Sequence, residues 1–264
     1  MKIGFIGLGN MATAMMGGII NNKVAKAADI NGSDAFEAAR KKAADSLKIK
    51  IYDNNPDVVR NSDIIVLSVK PQFYPDVISD IKAVSDKKKI FITIAPGKTL
   101  EWLKGQFGKE LKIVRCMPNT PALVGSGMTG VCPDKSVTET DMKTVMKILT
   151  SFGRAEVVPE RMMDAVVSVS GSSPAYVFMM IEAMADQAVA DGMPRPLAYE
   201  FAAQAVYGSA KMVLETGKHP AELKDMVCSP AGTTIDAVKV LEQEGFRAAI
   251  EDAMQACTEK SKSL

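Results

Sequence analysis

The chain is poor in the residues that build metal and nucleophile sites. Among 264 residues it has one histidine, His219, and four cysteines, Cys116, Cys132, Cys228 and Cys257, with no C-x-x-C spacing. That set forms no recognisable zinc site, and no metal is expected. Scattered single thiols fit a reducing compartment, so the expected location is the cytoplasm. Charge of one sign is also missing: 32 Lys and Arg face 31 Asp and Glu, a net charge of +1. Such a balance supplies no field for nucleic acid or an acidic membrane, and neither is expected as a partner. The only tight basic run, Lys87-Lys88-Lys89, reads as a solvated turn. No apolar run is long and clean enough to span a bilayer. The start, Met1-Lys2-Ile3-Gly4-Phe5-Ile6, lacks the long apolar core and small-residue cleavage site of a signal peptide.

What is present divides at Pro159. Before it, short apolar runs at 2–7, 28–31, 63–69, 89–95 and 112–117 alternate with helical stretches near 11–21, 35–46, 74–84 and 99–107. Continuous Ile and Val suit strands buried on both faces of a parallel sheet. This rhythm predicts an α/β fold, a doubly wound sheet over 1–159, closed by strands at 128–132 and 154–158 around a helix near 138–151. After Pro159 strand signals vanish. Helices are predicted at 161–169, 174–191, 195–216, 220–227, 233–244 and 246–260, with breaks at Gly and Pro clusters. Residues 160–264 thus form an all-α domain. The 174–191 helix is apolar on nearly every face, which requires cover from another subunit or from its own first domain.

Two stretches carry chemistry. Gly7-Leu8-Gly9-Asn10-Met11-Ala12 is a G-x-G-x-x-A turn between the first strand and the first helix. Gly7 permits the turn, Gly9 admits a pyrophosphate, and Ala12 lets helix and strand pack. The helix start then faces the phosphates. At the tip of the second strand Asp34 is either a ribose ligand that favours NAD(H) or a cap on the next helix. Ser33, Lys41 and Lys42 would favour the 2′-phosphate of NADP(H). The second stretch, "SPAGTTI" at 229–235, crowds small residues and hydroxyls at a helix start. It is either an ordinary cap or an anion site, and the same atoms serve both.

The chain resembles the pyrroline-5-carboxylate reductase family along nearly its whole length. The resemblance rests on "GFIGLGNMA" (4–12), "LSVKPQ" (67–72), "RCMPNTPALVGSGMTG" (115–130), "VSGSSPAYVF" (169–178), "ADGMPRPLA" (190–198) and "SPAGTTIDAV" (229–238). It implies an N-terminal Rossmann-type domain and a C-terminal all-α dimerisation domain, with dimers that can assemble into a decamer. It implies reduction of 1-pyrroline-5-carboxylate to proline, the final step of proline biosynthesis, with NADP(H) favoured and NAD(H) as the alternative. Carried over by position, Gly7, Leu8, Gly9, Asn10 and Met11 meet the pyrophosphate, and Ser33, Asp34 and Asn55 the adenosine end. Val69, Lys70, Pro71, Ala95, Met117 and Asn119 line the nicotinamide side. Ser229, Ala231, Gly232, Thr233 and Thr234 bind the substrate, its carboxylate on backbone N–H groups. Thr234 holds the ring nitrogen and is the catalytic candidate. The sequence departs from the family at Ala231 and Ser173, where glycine is usual, and at Asp34, where NADPH-using members often carry a small hydroxyl residue. Two rival readings are weaker. A hydroxyisobutyrate-type dehydrogenase would need an asparagine that does not follow Gly208-Ser209-Ala210-Lys211. A non-catalytic dinucleotide sensor would have no use for "SPAGTTI".

Overall fold

The computed structural model describes residues 1–263 and divides into two compact units. Unit 1 comprises Met1–Ser172 together with the C-terminal residues from Cys257, and unit 2 comprises Ser173–Ala256.

Unit 1 runs β1 (Ile3–Ile6), α1 (Asn10–Asn21), β2 (Ile30–Ser33), α2 (Glu37–Leu47), β3 (Lys50–Ile51), α3 (Asn55–Arg60), β4 (Ile64–Leu67), α4 (Tyr74–Ile81), β5 (Ile90–Thr93), α5 (Leu100–Phe107), β6 (Lys112–Met117), β7 (Gly127–Pro133), α6 (Glu139–Leu149), β8 (Gly153–Val157) and α7 (Met163–Val166). The eight strands form one sheet in the order β3-β2-β1-β4-β5-β6-β7-β8. Side-chain alternation divides each apolar run between two core layers. Ile3, Phe5, Ile64, Val66, Ile92 and Val114 face α1 and α6, against Met15, Ile19 and Ile148. Ile6, Ile65, Leu67, Phe91 and Ile113 face α3, α4 and α5, against Val58, Ile78 and Leu103. Both faces are buried, which is why the central strands read as unbroken hydrophobic runs.

Strand order reverses between β1 and its two neighbours β2 and β4, all parallel. That reversal opens a crevice at the carboxyl ends of the strands, the usual ligand position in such a sheet.

The fold departs from the sequence reading in four places. The predicted parallel sheet ends at β6, because β7 runs antiparallel to it. The second strand starts two residues late, since Ala27–Asp29 first closes a 3₁₀ turn. β3 and α3 were not predicted. One is two residues long, and the other rests on the Asn54 side chain capping Asp57 N–H, with Pro56 in its first turn. The helix predicted over 161–169 is a 3₁₀ turn (Glu160–Met162), then α7, then a π turn (Val167–Gly171). Gly171 ends that π turn against Met117, whose Cε lies 2.7 Å from where a Cβ would sit.

Unit 2 contains α8 (Ser173–Ala190), α9 (Arg195–Thr216), α10 (Pro220–Val227), α11 (Thr233–Gln243) and α12 (Phe246–Lys262), which continues into unit 1 at Cys257. α8 packs along α9. Its only buried residue is Ala185, while Phe178 and Met179 are 62% and 69% exposed. The chain by itself therefore does not cover the all-round apolar helix. A groove of about 470 Å³ between α8 and α9 is lined by Met180, Met184, Val206 and Val213.

Candidate functional site

The cofactor candidates of unit 1 gather at the carboxyl end of the sheet. Gly7 to Met11 follow β1, Ser33 and Asp34 end β2, and Val69, Lys70 and Pro71 follow β4. Ala95 follows β5, Met117 ends β6, and Asn119 comes just after it. Asn55 opens α3, and its Oδ1 accepts from Ser33 Oγ at 2.8 Å while its Nδ2 donates to Asp80 at 2.9 Å.

The glycine turn is held from three sides. Gly7 N–H donates to Ser33 O at 2.9 Å. Ser68 Oγ donates to Gly7 O at 2.7 Å. Leu8 N–H donates to Asp34 Oδ2 at 2.7 Å. Gly7 sits at φ +93, and a Cβ there would meet the Ser68 backbone and Val69 Cγ1 at 2.9 Å. Gly9 differs: a Cβ there would meet no protein atom within 4 Å. Gly9 caps α1 with no side-chain hydrogen bond. The first N–H groups of that helix have no intrahelical acceptor, and they carry the positive end of its dipole. Open space beside an uncapped helix start fits a dinucleotide pyrophosphate. Ser68 was missed from the sequence as a site residue, although it lies inside the quoted "LSVKPQ".

Asp34 does not cap α2. Its Oδ1 accepts from Phe36 N–H at 2.9 Å and its Oδ2 from Leu8 N–H, so both oxygens serve backbone donors. The residue that caps α2 is Phe36. In the core beneath the sheet, Tyr74 OH donates to Leu67 O at 2.7 Å and bonds Thr93 Oγ1 at 2.8 Å, which clamps the ends of β4 and β5. Burial pushes its phenol well above the ordinary range, so it stays protonated. Asn119 is committed on both sides. Its Oδ1 accepts from Met128 N–H at 2.8 Å and its Nδ2 donates to Ser170 O at 3.0 Å, which ties the end of β6 to the π turn. Lys70 is exposed, and Ala95 is buried. Burial likewise drives the Cys116 thiol upward, so this residue beside the crevice is a packing group.

The second cluster lies in unit 2. Ser229 O accepts from Gly232 N–H at 3.0 Å, closing a turn ahead of α11. Ala231 occupies the left-handed region at φ +55. A Cβ at Gly232 would lie 2.4 Å from Ser229 Oγ, so a larger residue there would turn that hydroxyl aside. Gly232 caps α11 without a side-chain bond, and Thr233 and Thr234 are the first two helical residues. The ordinary hydroxyl cap is therefore absent. The Thr233 and Thr234 N–H groups, in the first turn, lack intrahelical acceptors. Of the donors foreseen for a carboxylate, Gly232 N–H is spent inside the turn. His219 lies elsewhere, accepting from Ala221 N–H at 3.2 Å as the cap of α10.

A cavity of about 690 Å³ is lined by Leu100, Lys104, Cys132, Asp134, Val158 and Glu160 among others. No residue of either cluster lines it. No group of His, Cys, Asp and Glu among the described residues could hold a metal ion.

Residues 160–264 match the family described as pyrroline-5-carboxylate reductase dimerisation, and residues 2–97 match NADP oxidoreductase coenzyme F420-dependent. The chain is 52% identical to the pyrroline-5-carboxylate reductase of Escherichia coli K12, covering 100% of this chain and 98% of that one. It is 45% identical to that of Methanosarcina acetivorans, covering 100% and 97%. The crystal structure of the Plasmodium falciparum pyrroline carboxylate reductase with NADP bound superposes with a TM-score of 0.92 at 34% identity, covering 99% and 97%. With relatives this close from end to end, and a helical half that matches their dimerisation region, the chain belongs to the pyrroline-5-carboxylate reductase family.

Proposed function

We propose that this chain reduces 1-pyrroline-5-carboxylate to proline, the last step of proline biosynthesis, with NADPH as the favoured cofactor and NADH as the alternative. Residues 1–159 act as the dinucleotide-binding domain and residues 160–264 as the dimerisation and substrate domain. The observation that carries the reading is the uncapped start of α11. Two threonines stand there, in a chain that matches the family over its full length.

The bound cofactor supplies the hydride that the imine carbon receives. The chain does the holding. The start of α1 binds the pyrophosphate, with Gly7 to Met11 shaping the turn. Ser33, Asp34 and Asn55 build the adenosine end, and Val69 to Pro71, Ala95, Met117 and Asn119 the nicotinamide side. The N–H groups of Ala231, Thr233 and Thr234 bind the substrate carboxylate, helped by the dipole of α11 and the Ser229 hydroxyl. Gly232 contributes by leaving room. Thr234 Oγ1 bonds the ring nitrogen and orients the imine. Most of the acceleration then comes from positioning, which is worth several powers of ten.

The exposed apolar face of α8 and α9 serves self-association, as a dimer or, with further assembly of dimers, as a decamer. The compartment is the cytoplasm, consistent with four free cysteines. No helix among the described residues is long and apolar enough to cross a membrane, and neither nucleic acid nor membrane is assigned as a partner.

The test is oxidation of NADPH and of NADH, in parallel, with 1-pyrroline-5-carboxylate. Turnover with NADPH as the better donor is expected; folded protein that binds cofactor and oxidises neither sinks the reading. Thr234→Ala should lower kcat by roughly a hundredfold while cofactor affinity holds. Equal loss of both would reduce Thr234 to a residue of the fold.

A further inference from the structure

A basic residue stands just behind the acidic residue at the tip of β2. Arg40 stands in the first turns of α2. Its Nη1 donates to Asp34 O at 2.6 Å and reaches Ala35 O at 3.4 Å, folding the guanidinium back over the β2–α2 turn. Two backbone carbonyls hold the group in place without neutralising it. No carboxylate among the described residues lies within ion-pair distance of it, although other lysines and arginines do form ion pairs, such as Arg115 with Glu160 and Arg247 with Glu242. The side chain is only half-buried, and its Nη2 and Nε donors make no hydrogen bond among the described residues. A planar cation with a spare fork therefore sits at the strand tip, where such a sheet brings the adenosine ribose. Lys41 and Lys42, the basic residues that the sequence draws attention to, are exposed and make no bond to this turn.

Asp34 ought to oppose a phosphate here. Its carboxylate instead accepts from Leu8 N–H and Phe36 N–H, one on each oxygen. Those bonds join the glycine turn to the β2–α2 turn across 26 residues of sequence. A carboxylate satisfied in this way is drawn toward the backbone dipoles, with less of its charge turned to the ligand. It shapes the turn that every dinucleotide uses, with or without a 2′-phosphate.

We infer that Arg40 is the residue that reads the 2′-phosphate of the cofactor, and that Asp34 is a latch on the glycine turn with no part in the choice between NADPH and NADH. The inference rests on the dinucleotide reading and adds its specificity residue.

Calorimetric titration of the full chain with adenosine 2′,5′-bisphosphate and with AMP tests it without turnover. Arg40→Met keeps the stem and should weaken the bisphosphate by about tenfold or more, with AMP held within about twofold, and Arg40→Lys should recover part of the loss. In steady state the same variant should raise KM for NADPH far more than for NADH. Asp34→Asn should weaken both nucleotides by the same factor. Equal weakening of both by Arg40→Met, or no weakening of either, overturns the role of Arg40. A shift of preference toward NADPH in Asp34→Asn overturns that of Asp34. Wild-type protein that binds neither nucleotide, nor NADPH itself, would remove the dinucleotide reading as well. Binding of both by the wild type, unaltered in Arg40→Met, removes this inference alone.

Discussion

Two glycines two residues apart show how differently one residue type is used. Gly7 answers to the protein, with φ +93 and backbone atoms 2.9 Å from where a Cβ would sit. Gly9 has ordinary extended dihedrals and no protein neighbour around that position. Gly7→Ala should therefore cost about 1–3 kcal/mol in folding, read as a lower denaturation midpoint. Gly9→Ser should fold at least as well, gaining a few tenths of a kcal/mol because serine is a good cap. It should also lose cofactor affinity by on the order of tenfold or more, since its hydroxyl takes the N–H groups meant for the phosphates. A Gly9→Ser protein that binds NADPH normally would show that the pyrophosphate lies elsewhere. Ala231 is a milder case of the same logic. It holds a left-handed conformation at φ +55, which a glycine would adopt at less cost.

At the scale of elements, α5 and α6 are fixed to the sheet by charge. Lys104 pairs with Asp134, and Lys112 with Asp141 at 2.7 Å. Thr138 and Asp141 also form a capping box at the start of α6. Burial alone would raise both carboxyls. The Lys104 ammonium, the Ser136 hydroxyl and two backbone N–H groups outweigh it at Asp134, and Lys112 with Thr138 does so at Asp141. Both therefore lie below the ordinary carboxylate range. A carboxyl with a depressed native pKa adds stability above its unfolded value and loses it as pH falls through the native one. Stability should hold from neutral pH down to about pH 5 and decline below about pH 4. Asp134→Asn should flatten that acid limb in a urea titration series. An unchanged slope would assign acid lability to other groups.

Across the whole molecule, the two units differ in how they satisfy their apolar residues. Unit 1 closes two core layers around its sheet. Unit 2 leaves Phe178, Met179, Phe201, Tyr207 and Leu214 largely in solvent. A surface of that kind is stable in water only when covered. The wild-type chain, 28.3 kDa, should elute as a dimer or larger. Phe178→Glu with Met179→Lys should shift it toward the monomer and reduce turnover, while binding of a nucleotide fragment by unit 1 persists. An unchanged elution volume would exclude this face from the interface.

The sequence by itself determined the two halves, the doubly wound sheet, the glycine turn and the unusual α11 start. These are local: apolar alternation, Gly and Pro breaks and a strand–turn–helix spacing need only neighbouring residues to be read. Only the tertiary structure decided what depends on partners far along the chain. It turned β7 antiparallel to β6, widened 167–171 into a π turn against Met117, and engaged both sides of the Asn119 amide. It also spent Asp34 on Leu8 N–H and left Arg40 with an open fork. A side chain's type states what bonds it can form; which of them it makes depends on what folding brings within about 3 Å of it.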